Sequence, residues 1–249
     1  MEQKYVDSVK FRGKLKRNSY LCHIPAVEWL VEQGELTFPC DVTFFCGENG
    51  TGKSTLLEGI AVACGFNAEG GSRNFSFSTE DTHSELCEHL TIVKSAYPKD
   101  GFFLRAESLY NAASYVDELE RLPVGGSLLD SYGGKSLHEQ SHGESFLATV
   151  TNRFFGRGLY ILDEPEAALS PAKQLELLCN IKRLVGEESQ FIIATHSPIL
   201  LAYPNAQILR FSEDGIMPVG YKQTEHYQIT KQFLDNPERM LSILFEEGE

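Results

Sequence analysis

One short segment combines the residue types that bind nucleotide phosphates. The pattern G-x-x-x-x-G-K-[ST] makes each residue from 47 to 55 a candidate contact for ATP: Gly47, Glu48, Asn49, Gly50, Thr51, Gly52, Lys53, Ser54 and Thr55. Glycine lacks a Cβ atom, so the backbone can curl with its N–H groups pointing at the phosphates. Lys53 is expected to reach the β- and γ-phosphates, and the Ser54 hydroxyl to ligate Mg²⁺. A chance glycine-rich turn is the alternative, but a strand-like run, 42–46, precedes the segment and a helical run, 54–64, follows it.

Two consecutive carboxylates follow a second apolar run. Residues 159–162 predict a buried strand, and Asp163 and Glu164 come directly after it. Ligands of open α/β sheets bind at the carboxyl ends of the strands, so both acids are expected beside the phosphate loop. Asp163 is predicted to hold the Mg²⁺ shell, and Glu164 to orient or deprotonate the attacking water. The alternative is that both acids only cap the turn before the helix that Ser170 begins.

The order of the motifs resembles the ABC-type ATPase superfamily, in particular the soluble branch that includes the SMC, RecF and MutS-like ATPases. Residues 162–165 and 167–170 are similar to its Walker B motif and D-loop. Residues 194–197 are similar to its switch-histidine segment, and residues 141–144 stand at the place of its signature. The resemblance covers about residues 40–210, and the whole chain is similar to small stand-alone bacterial ATPases predicted from sequence.

The resemblance implies a fold as well as a chemistry. It implies an α/β P-loop NTPase of the ABC-ATPase type, with a mainly parallel core sheet flanked by helices. An antiparallel β part is expected at the N-terminal side. The chain is expected to form one domain over residues 1–249, with a helical tail from about residue 220.

The signature segment departs from the usual L-S-G-G-Q, because glutamine, histidine and glutamate replace three of its residues. Ser141 and Gly143 remain, and a hydroxyl and backbone N–H groups at a helix start suit a γ-phosphate. In this superfamily that phosphate belongs to the opposite subunit, so Ser141, Gly143 and Glu144 are candidate ATP contacts in an ATP-dependent homodimer. Alternatively, Ser141 caps its own helix and Glu144 completes a capping box. Both interpretations can hold together.

Three more residues acquire roles through the resemblance. His196 follows the apolar run 190–193 and is the candidate switch histidine, a second catalytic residue that bonds the γ-phosphate or the water. Its alternative is to cap a helix that Ser197 begins. Glu107, at the end of a predicted strand, is the candidate for the residue that links the metal to the partner. A surface acid at a strand end is the alternative for Glu107. Tyr20 is a candidate for stacking on adenine.

Composition favours a cytoplasmic enzyme. The 249 residues suit one α/β domain of good size. The sequence contains no run of about 18 apolar residues, which a membrane span would need. The N-terminal residues show no apolar signal core. The six cysteines are scattered without a C-x-x-C pair, which indicates reduced core residues. We therefore expect no insertion into a membrane.

The net charge of −13 weakens a nucleic-acid role without excluding it. The exception is a basic segment of five residues: Lys10, Arg12, Lys14, Lys16 and Arg17. A solvated turn between two strands is the favoured interpretation of this segment.

The remaining patterns predict the connections. Residues 4–46 predict mainly strands with a short helix after Pro25, and 91–95 with 101–107 predict a hairpin. A helix is predicted over 109–121. Two helices are predicted at the C-terminal end, the second beginning at Pro237.

Three classes of function stay open. The first is a stand-alone ATPase whose nucleotide-gated, head-to-tail dimerisation acts on an unknown partner or nucleic acid. The second is the ATP-binding subunit of an importer with separate membrane subunits. The third is a P-loop kinase or nucleotidyl transferase, which would need an acceptor pocket.

Overall fold

The structure is a computed structural model that describes residues 4–16, 18–72, 85–106 and 140–246. The strands are β1 Ser8–Phe11, β2 Glu35–Thr37, β3 Val42–Gly47, β4 Gly71–Ser72, β5 Leu90–Val93, β6 Asp100–Arg105, β7 Gly158–Asp163, β8 Gln190–Ala194, β9 Gln207–Ser212 and β10 Gly215–Pro218. The α-helices are α1 Pro25–Gln33, α2 Lys53–Ala63, α3 His142–Arg153, α4 Pro171–Gly186, α5 Glu225–Asp235 and α6 Pro237–Glu246. Short 3₁₀ turns cover Tyr20–His23, Glu85–His89, Pro165–Ala167, Leu200–Ala202 and Tyr221–Gln223.

The central sheet has seven strands in the order β10-β9-β3-β8-β7-β6-β4. The four pairings from β9 to β6 are parallel, and the two edge pairings are antiparallel. The register aligns Phe45 of β3 with Ala194 of β8, and Ala194 with Asp163 of β7. The carboxyl ends of the three strands that precede the motifs therefore meet at one edge. The predicted, mainly parallel core sheet is confirmed.

Helices cover both faces of this sheet. Every residue of β3, β7 and β8 is buried, as expected for parallel strands packed on both sides. Phe45 packs in one apolar cluster with Leu57 of α2, whereas its neighbour Phe44 packs in the other with Leu177 of α4. Successive residues of a strand point to opposite faces, so β3 joins the two layers.

A second, antiparallel sheet has the order β2-β1-β5, which confirms the predicted N-terminal antiparallel part. The predicted hairpin of 91–95 and 101–107 is wrong, because β5 pairs with β1 while β6 pairs in parallel with β7. Burial explains the difference. Residues 101–104 of β6 are all buried and suit the interior of the large sheet, whereas three of the four residues of β5 are only half-buried.

Capping and turn residues in the sequence predicted most of the helix ends. The run predicted over 54–64 gives α2, which ends at Ala63, with Gly65 at φ +92° just beyond it. Ser170 caps α4, and α6 begins at Pro237 as predicted. The region before β3 contains more helix than expected, since α1 has nine residues. The predicted helix 109–121 lies outside the described residues. In the ranges that the structure describes, no helix is long and apolar enough to cross a membrane.

One buried side chain ties the start of the chain to the central sheet. Gln190 of β8 is 2% exposed, and its Oε1 accepts hydrogen bonds from the backbone N–H groups of Tyr5 at 3.0 Å and Val6 at 2.9 Å. Its Nε2 donates to the Val6 carbonyl at 2.9 Å. One amide thus satisfies three backbone groups at the junction of the two sheets.

Gln190→Leu should lower the free energy of unfolding by about 2 to 4 kcal/mol, because three backbone groups lose their partner where water cannot replace it. Urea denaturation measures the change. Gln232→Leu on the exposed side of α5 is the control, and it should change stability by less than about 0.5 kcal/mol. Equal values for the two variants would contradict the proposed tie.

Candidate active site

The loop between β3 and α2 requires glycine at two of its positions. Gly47 has φ +133°, and a Cβ there would lie 2.0 Å from the carbonyl oxygen of Phe211. Gly52 has φ +97°, and its Cβ would lie 2.3 Å from Cγ2 of Ile24. Both positions therefore exclude a side chain by conformation and by space. The loop is therefore packed closely against Phe211 and Ile24.

Lys53, the first residue of α2, extends its side chain into this loop. It is 4% exposed, and its Nζ donates to the carbonyl oxygens of Gly47 at 2.8 Å and Glu48 at 2.6 Å. Burial lowers the pKa of the Lys53 ammonium, and the carboxylate of Glu164 is the foremost group that opposes this shift. The loop thus holds a cation at its centre, as phosphate binding requires.

Ser54 and Asp163 bring two oxygen donors together. The Ser54 hydroxyl donates to Oδ1 of Asp163 at 3.1 Å, and Asp163 is 6% exposed. Hydroxyl and carboxylate oxygens are the ligands that Mg²⁺ prefers, so the pair fits the predicted metal. Glu107, the third metal candidate, lies outside the described residues.

Arg105 joins this site, although sequence analysis gave it no role. Its Nε lies 3.4 Å from Oδ2 of Asp163, and its Nη1 donates to Oε2 of Glu58 at 2.9 Å. Arg105 ends β6 directly opposite Asp163 in the parallel register. Its guanidinium therefore offsets the negative charge of Asp163.

Glu164 and His196 face each other across the ends of β7 and β8. Glu164 has φ +48°, and its backbone N–H donates to the carbonyl of Ala194 at 3.0 Å. A left-handed backbone is costly for glutamate and is typical of functional positions. Nε2 of His196 lies 3.6 Å from Oε1 of Glu164. This nitrogen is buried and has no hydrogen-bond partner within the described part of the chain.

The imidazole of His196 is poised to stay neutral. Burial lowers its pKa, and the nearby Lys53 ammonium lowers it further, while Glu164 acts in the opposite direction. A neutral ring can offer either a donor or an acceptor at Nε2. His196 is thus suited to bond an anionic phosphate or a water.

Glu166 holds the segment that carries His196, and sequence analysis missed it. Its carboxylate accepts from the Thr195 hydroxyl at 2.7 Å and from the His196 backbone N–H at 2.5 Å. Burial raises the pKa of Glu166, and these hydrogen bonds oppose that shift. The sequence contains one indication of this role, because Glu166 stands two residues after Glu164 and a buried carboxylate at that position needs hydrogen-bond donors.

The alternative role for His196, capping a helix, is wrong. The Ser197 hydroxyl accepts from the backbone N–H groups of Ile199 at 3.1 Å and Leu200 at 3.3 Å. It also donates to Oε1 of Gln174 at 2.5 Å. Only a short 3₁₀ turn follows. Ser197 therefore caps the backbone N–H groups of this turn, and the side chain of His196 is not needed for that purpose.

The signature segment forms the capping box that was one of its two interpretations. The Ser141 side chain accepts from the Glu144 backbone N–H at 3.4 Å, and Oε2 of Glu144 accepts from the Ser141 backbone N–H at 2.9 Å. The Ser141 hydroxyl also donates to Oε2 of Glu144 at 2.6 Å. A Cβ on Gly143 would lie 2.7 Å from the Ala168 carbonyl oxygen, so α3 starts directly against the turn that follows Glu164.

The phosphate loop and Glu164, the acid that follows β7, share one small cleft of about 140 Å³. Its lining residues are Ile24, Asn49, Gly50, Gly52, Lys53, Ser54, Thr55 and Glu164. Ser141 is exposed and is absent from this lining. Tyr20, the adenine candidate, is 56% exposed and begins the 3₁₀ turn that leads to Ile24.

Comparisons with known proteins place the chain. The sequence model of a family described as an AAA domain matches residues 18–99. The thiamine import ATP-binding protein ThiQ of Cereibacter sphaeroides is 31% identical over 193 residues, which cover 68% of this chain and 79% of ThiQ. The chain belongs to the ABC ATPase superfamily. Structural maintenance of chromosomes protein 6 of Takifugu rubripes is 29% identical over 113 residues, 45% of this chain and 9% of that protein.

A solved ABC ATPase shares the fold. CbiO1 from Clostridium perfringens, described as part of the ABC transporter complex cbiONQ, superposes with a TM-score of 0.50 and 18% identity. The match covers 98% of this chain and 100% of that one. The ABC-type fold predicted from the motifs is therefore confirmed, and the chain contains an ABC-type nucleotide-binding domain.

The packing of Gly52 generates a test of the loop. Gly52→Ala should abolish detectable ATP binding in calorimetry, because the new Cβ meets Ile24 and forces the loop out of shape. Gly50→Ala is the matched control. Gly50 also has positive φ, at +83°, but a Cβ there meets no atom within 4 Å. Gly50→Ala should therefore keep binding within about tenfold, since it introduces only backbone strain of about 1 kcal/mol. Equal affinities would contradict the steric requirement.

Proposed function

We propose that this ABC ATPase hydrolyses ATP to ADP and phosphate at the cleft between the β3–α2 loop and the end of β7. The convergence of Lys53, the Ser54–Asp163 pair and the Glu164–His196 pair carries this proposal. These groups come from three neighbouring parallel strands or the loops that follow them. Their chemistry matches the needs of phosphoryl transfer to water.

The loop and Lys53 bind the phosphates. The N–H groups of residues 48–54 and the positive end of α2 supply donors, and Lys53 exchanges its loop carbonyl partners for phosphate oxygens. Ser54 and Asp163 hold Mg²⁺. When bound, Mg²⁺ neutralises part of the phosphate charge. Arg105 keeps the Asp163 carboxylate oriented toward Ser54 through its contact with Oδ2.

Glu164 is the general base. Its carboxylate lines the cleft, and its side chain is 41% exposed, so a water can reach it. The hydrogen bond from its backbone to Ala194 fixes where the carboxylate emerges. His196 supplies the second polar group at the reacting phosphate through Nε2. Proton acceptance by Glu164 then completes the attack of water.

The complete site needs a second copy of the chain. Ser141 and the start of α3 offer a hydroxyl and N–H donors at the surface, away from the lining of their own cleft. In a head-to-tail dimer, Ser141 and Gly143 of each copy contact the γ-phosphate of the other. Glu144 then serves to orient Ser141 through the capping box. ATP binding closes the dimer and hydrolysis opens it, which makes the assembly a switch acting on a partner in the cytoplasm.

A second candidate function is supported by one comparison. The similarity to an ATP-binding protein of thiamine import favours the ATP-binding subunit of an importer. Purification from membranes and from the soluble fraction separates the two candidates. Stoichiometric recovery with an integral membrane protein supports the importer subunit. Recovery without membrane subunits and with ATPase activity supports the stand-alone switch.

Glu164→Gln should lower kcat by about 100-fold or more and keep ATP affinity, because the amide preserves shape but accepts no proton. Phosphate release and calorimetry measure the two quantities. Glu176→Gln, on the exposed side of α4, is the matched control and should keep wild-type turnover. Wild-type turnover in Glu164→Gln would remove this residue from the mechanism.

Mixing two inactive variants tests the composite site. Lys53→Ala removes one loop cation, and Ser141→Arg places a bulky cation at the cross-subunit contact. A heterodimer of the two retains one intact site, built from the loop of the Ser141→Arg chain and the signature of the Lys53→Ala chain. We expect partial activity in the mixture and almost none in either variant alone. Full activity of Ser141→Arg in a strictly monomeric state would contradict the dimer mechanism.

A further inference from the structure

A second histidine contacts the ring of His196. Nε2 of His226, in the first turn of α5, lies 3.0 Å from Nδ1 of His196. The two rings meet edge to face, with centroids 5.1 Å apart and planes at 60°. Nδ1 is the nitrogen of His196 that points away from Glu164, because Nε2 faces that carboxylate. His226 therefore contacts His196 on the side of the ring opposite to Glu164.

Polar contacts hold the start of α5 at this place. The Tyr221 hydroxyl donates to the Pro198 carbonyl at 3.0 Å, two residues beyond His196. Thr224 is 1% exposed, and its hydroxyl donates to the Tyr221 carbonyl at 2.7 Å and accepts from the Tyr227 N–H at 3.4 Å. No residue of α5 is buried, so apolar packing does not explain where this helix begins.

Both imidazoles favour the neutral form. Burial lowers the pKa of His226, and the neighbouring His196 and Lys53 lower it further, against smaller opposite effects of Glu225 and Glu166. Burial and Lys53 also lower the pKa of His196. Two neutral rings in contact share a single proton in their hydrogen bond. That proton belongs either to His196 or to His226.

The position of Glu164 decides between the two arrangements. If Nδ1 of His196 donated, its Nε2 would present a lone pair to the Glu164 carboxylate 3.6 Å away. If Nε2 of His226 donates, the proton of His196 moves to its own Nε2 and faces that carboxylate instead. An N–H beside a negative charge is favoured over a lone pair beside the same charge.

We propose that His226 is a positioning residue for ATP hydrolysis, which donates through Nε2–H to Nδ1 of His196 and keeps the His196 proton on Nε2. The switch histidine then presents a fixed donor to the cleft, where an anionic phosphate binds. The hydrogen bond also prevents rotation of the His196 ring. This role rests on the proposed ATPase function, and it makes the start of α5 part of the support of the active site.

Two substitutions of His226 test the proposal kinetically. His226→Leu removes the hydrogen bond and should lower kcat about tenfold with little change in the KM for ATP. His226→Gln replaces the imidazole Nε2–H with an amide N–H at about the same distance from the backbone. This variant should restore kcat to within about threefold of wild type. Gln228→Leu is the control, because it removes a hydrogen bond at the start of α5, from Nε2 of Gln228 to the Lys222 carbonyl at 3.2 Å, and leaves the contacts of the imidazole pair and of Pro198 in place. It should keep kcat within about twofold.

Nitrogen-15 NMR of histidine-labelled protein gives a readout that needs no turnover. We expect a protonated Nε2 and an unprotonated Nδ1 on His196 in the wild type, and exchange between both forms in His226→Leu. Wild-type kcat in His226→Leu, equal losses in the leucine and glutamine variants, or an equal loss in Gln228→Leu would overturn the proposal. A proton fixed on Nδ1 of His196 would overturn it as well. If the wild-type protein released no phosphate, the ATPase function would fail, while NMR would still decide where the proton lies.

Discussion

The parallel register of β3, β8 and β7 is the constraint on which the site depends. It sets Phe45, Ala194 and Asp163 side by side, so the phosphate loop, His196 and Glu164 all emerge at one edge. A slip of one residue in any of these pairings would turn the side chains to the opposite face of the sheet. The two apolar clusters resist such a slip, because Phe44 and Phe45 fill different layers.

Paired charges stabilise this edge of the sheet. Lys53 is buried but has two loop carbonyls, and Asp163 is buried but has Ser54 and Arg105. A buried charge without a partner would be costly, so each of these contacts stabilises the site. In the proposed ATPase, phosphates and a cation would exchange these partners instead of creating new charged surroundings. The site is therefore preorganised in electrostatics as well as in shape.

Sequence predicted what depends on local spacing. The glycines of the loop, the capping box of Ser141 and the start of α6 each depend on residues close in the chain. The hairpin failed because strand pairing is decided by partners far away, here β1 for β5 and β7 for β6. Arg105, Glu166 and His226 were missed for the same reason. Their contacts in the site lie 29 or more residues away.

The segment 195–198, which contains His196, is held from three directions. Glu166 binds its backbone, Gln174 of α4 binds Ser197, and the start of α5 binds Pro198 and the ring of His196. Glu166 and Ala168 belong to one short turn after Glu164, and the carbonyl of Ala168 lies against Gly143 of α3. Glu164, the carboxylate that supports His196 and the contact of α3 through Gly143 are thus carried by a single turn of backbone. A displacement of α3 would therefore act on Glu164 and His196 together, which is the mechanical connection that the proposed switch requires.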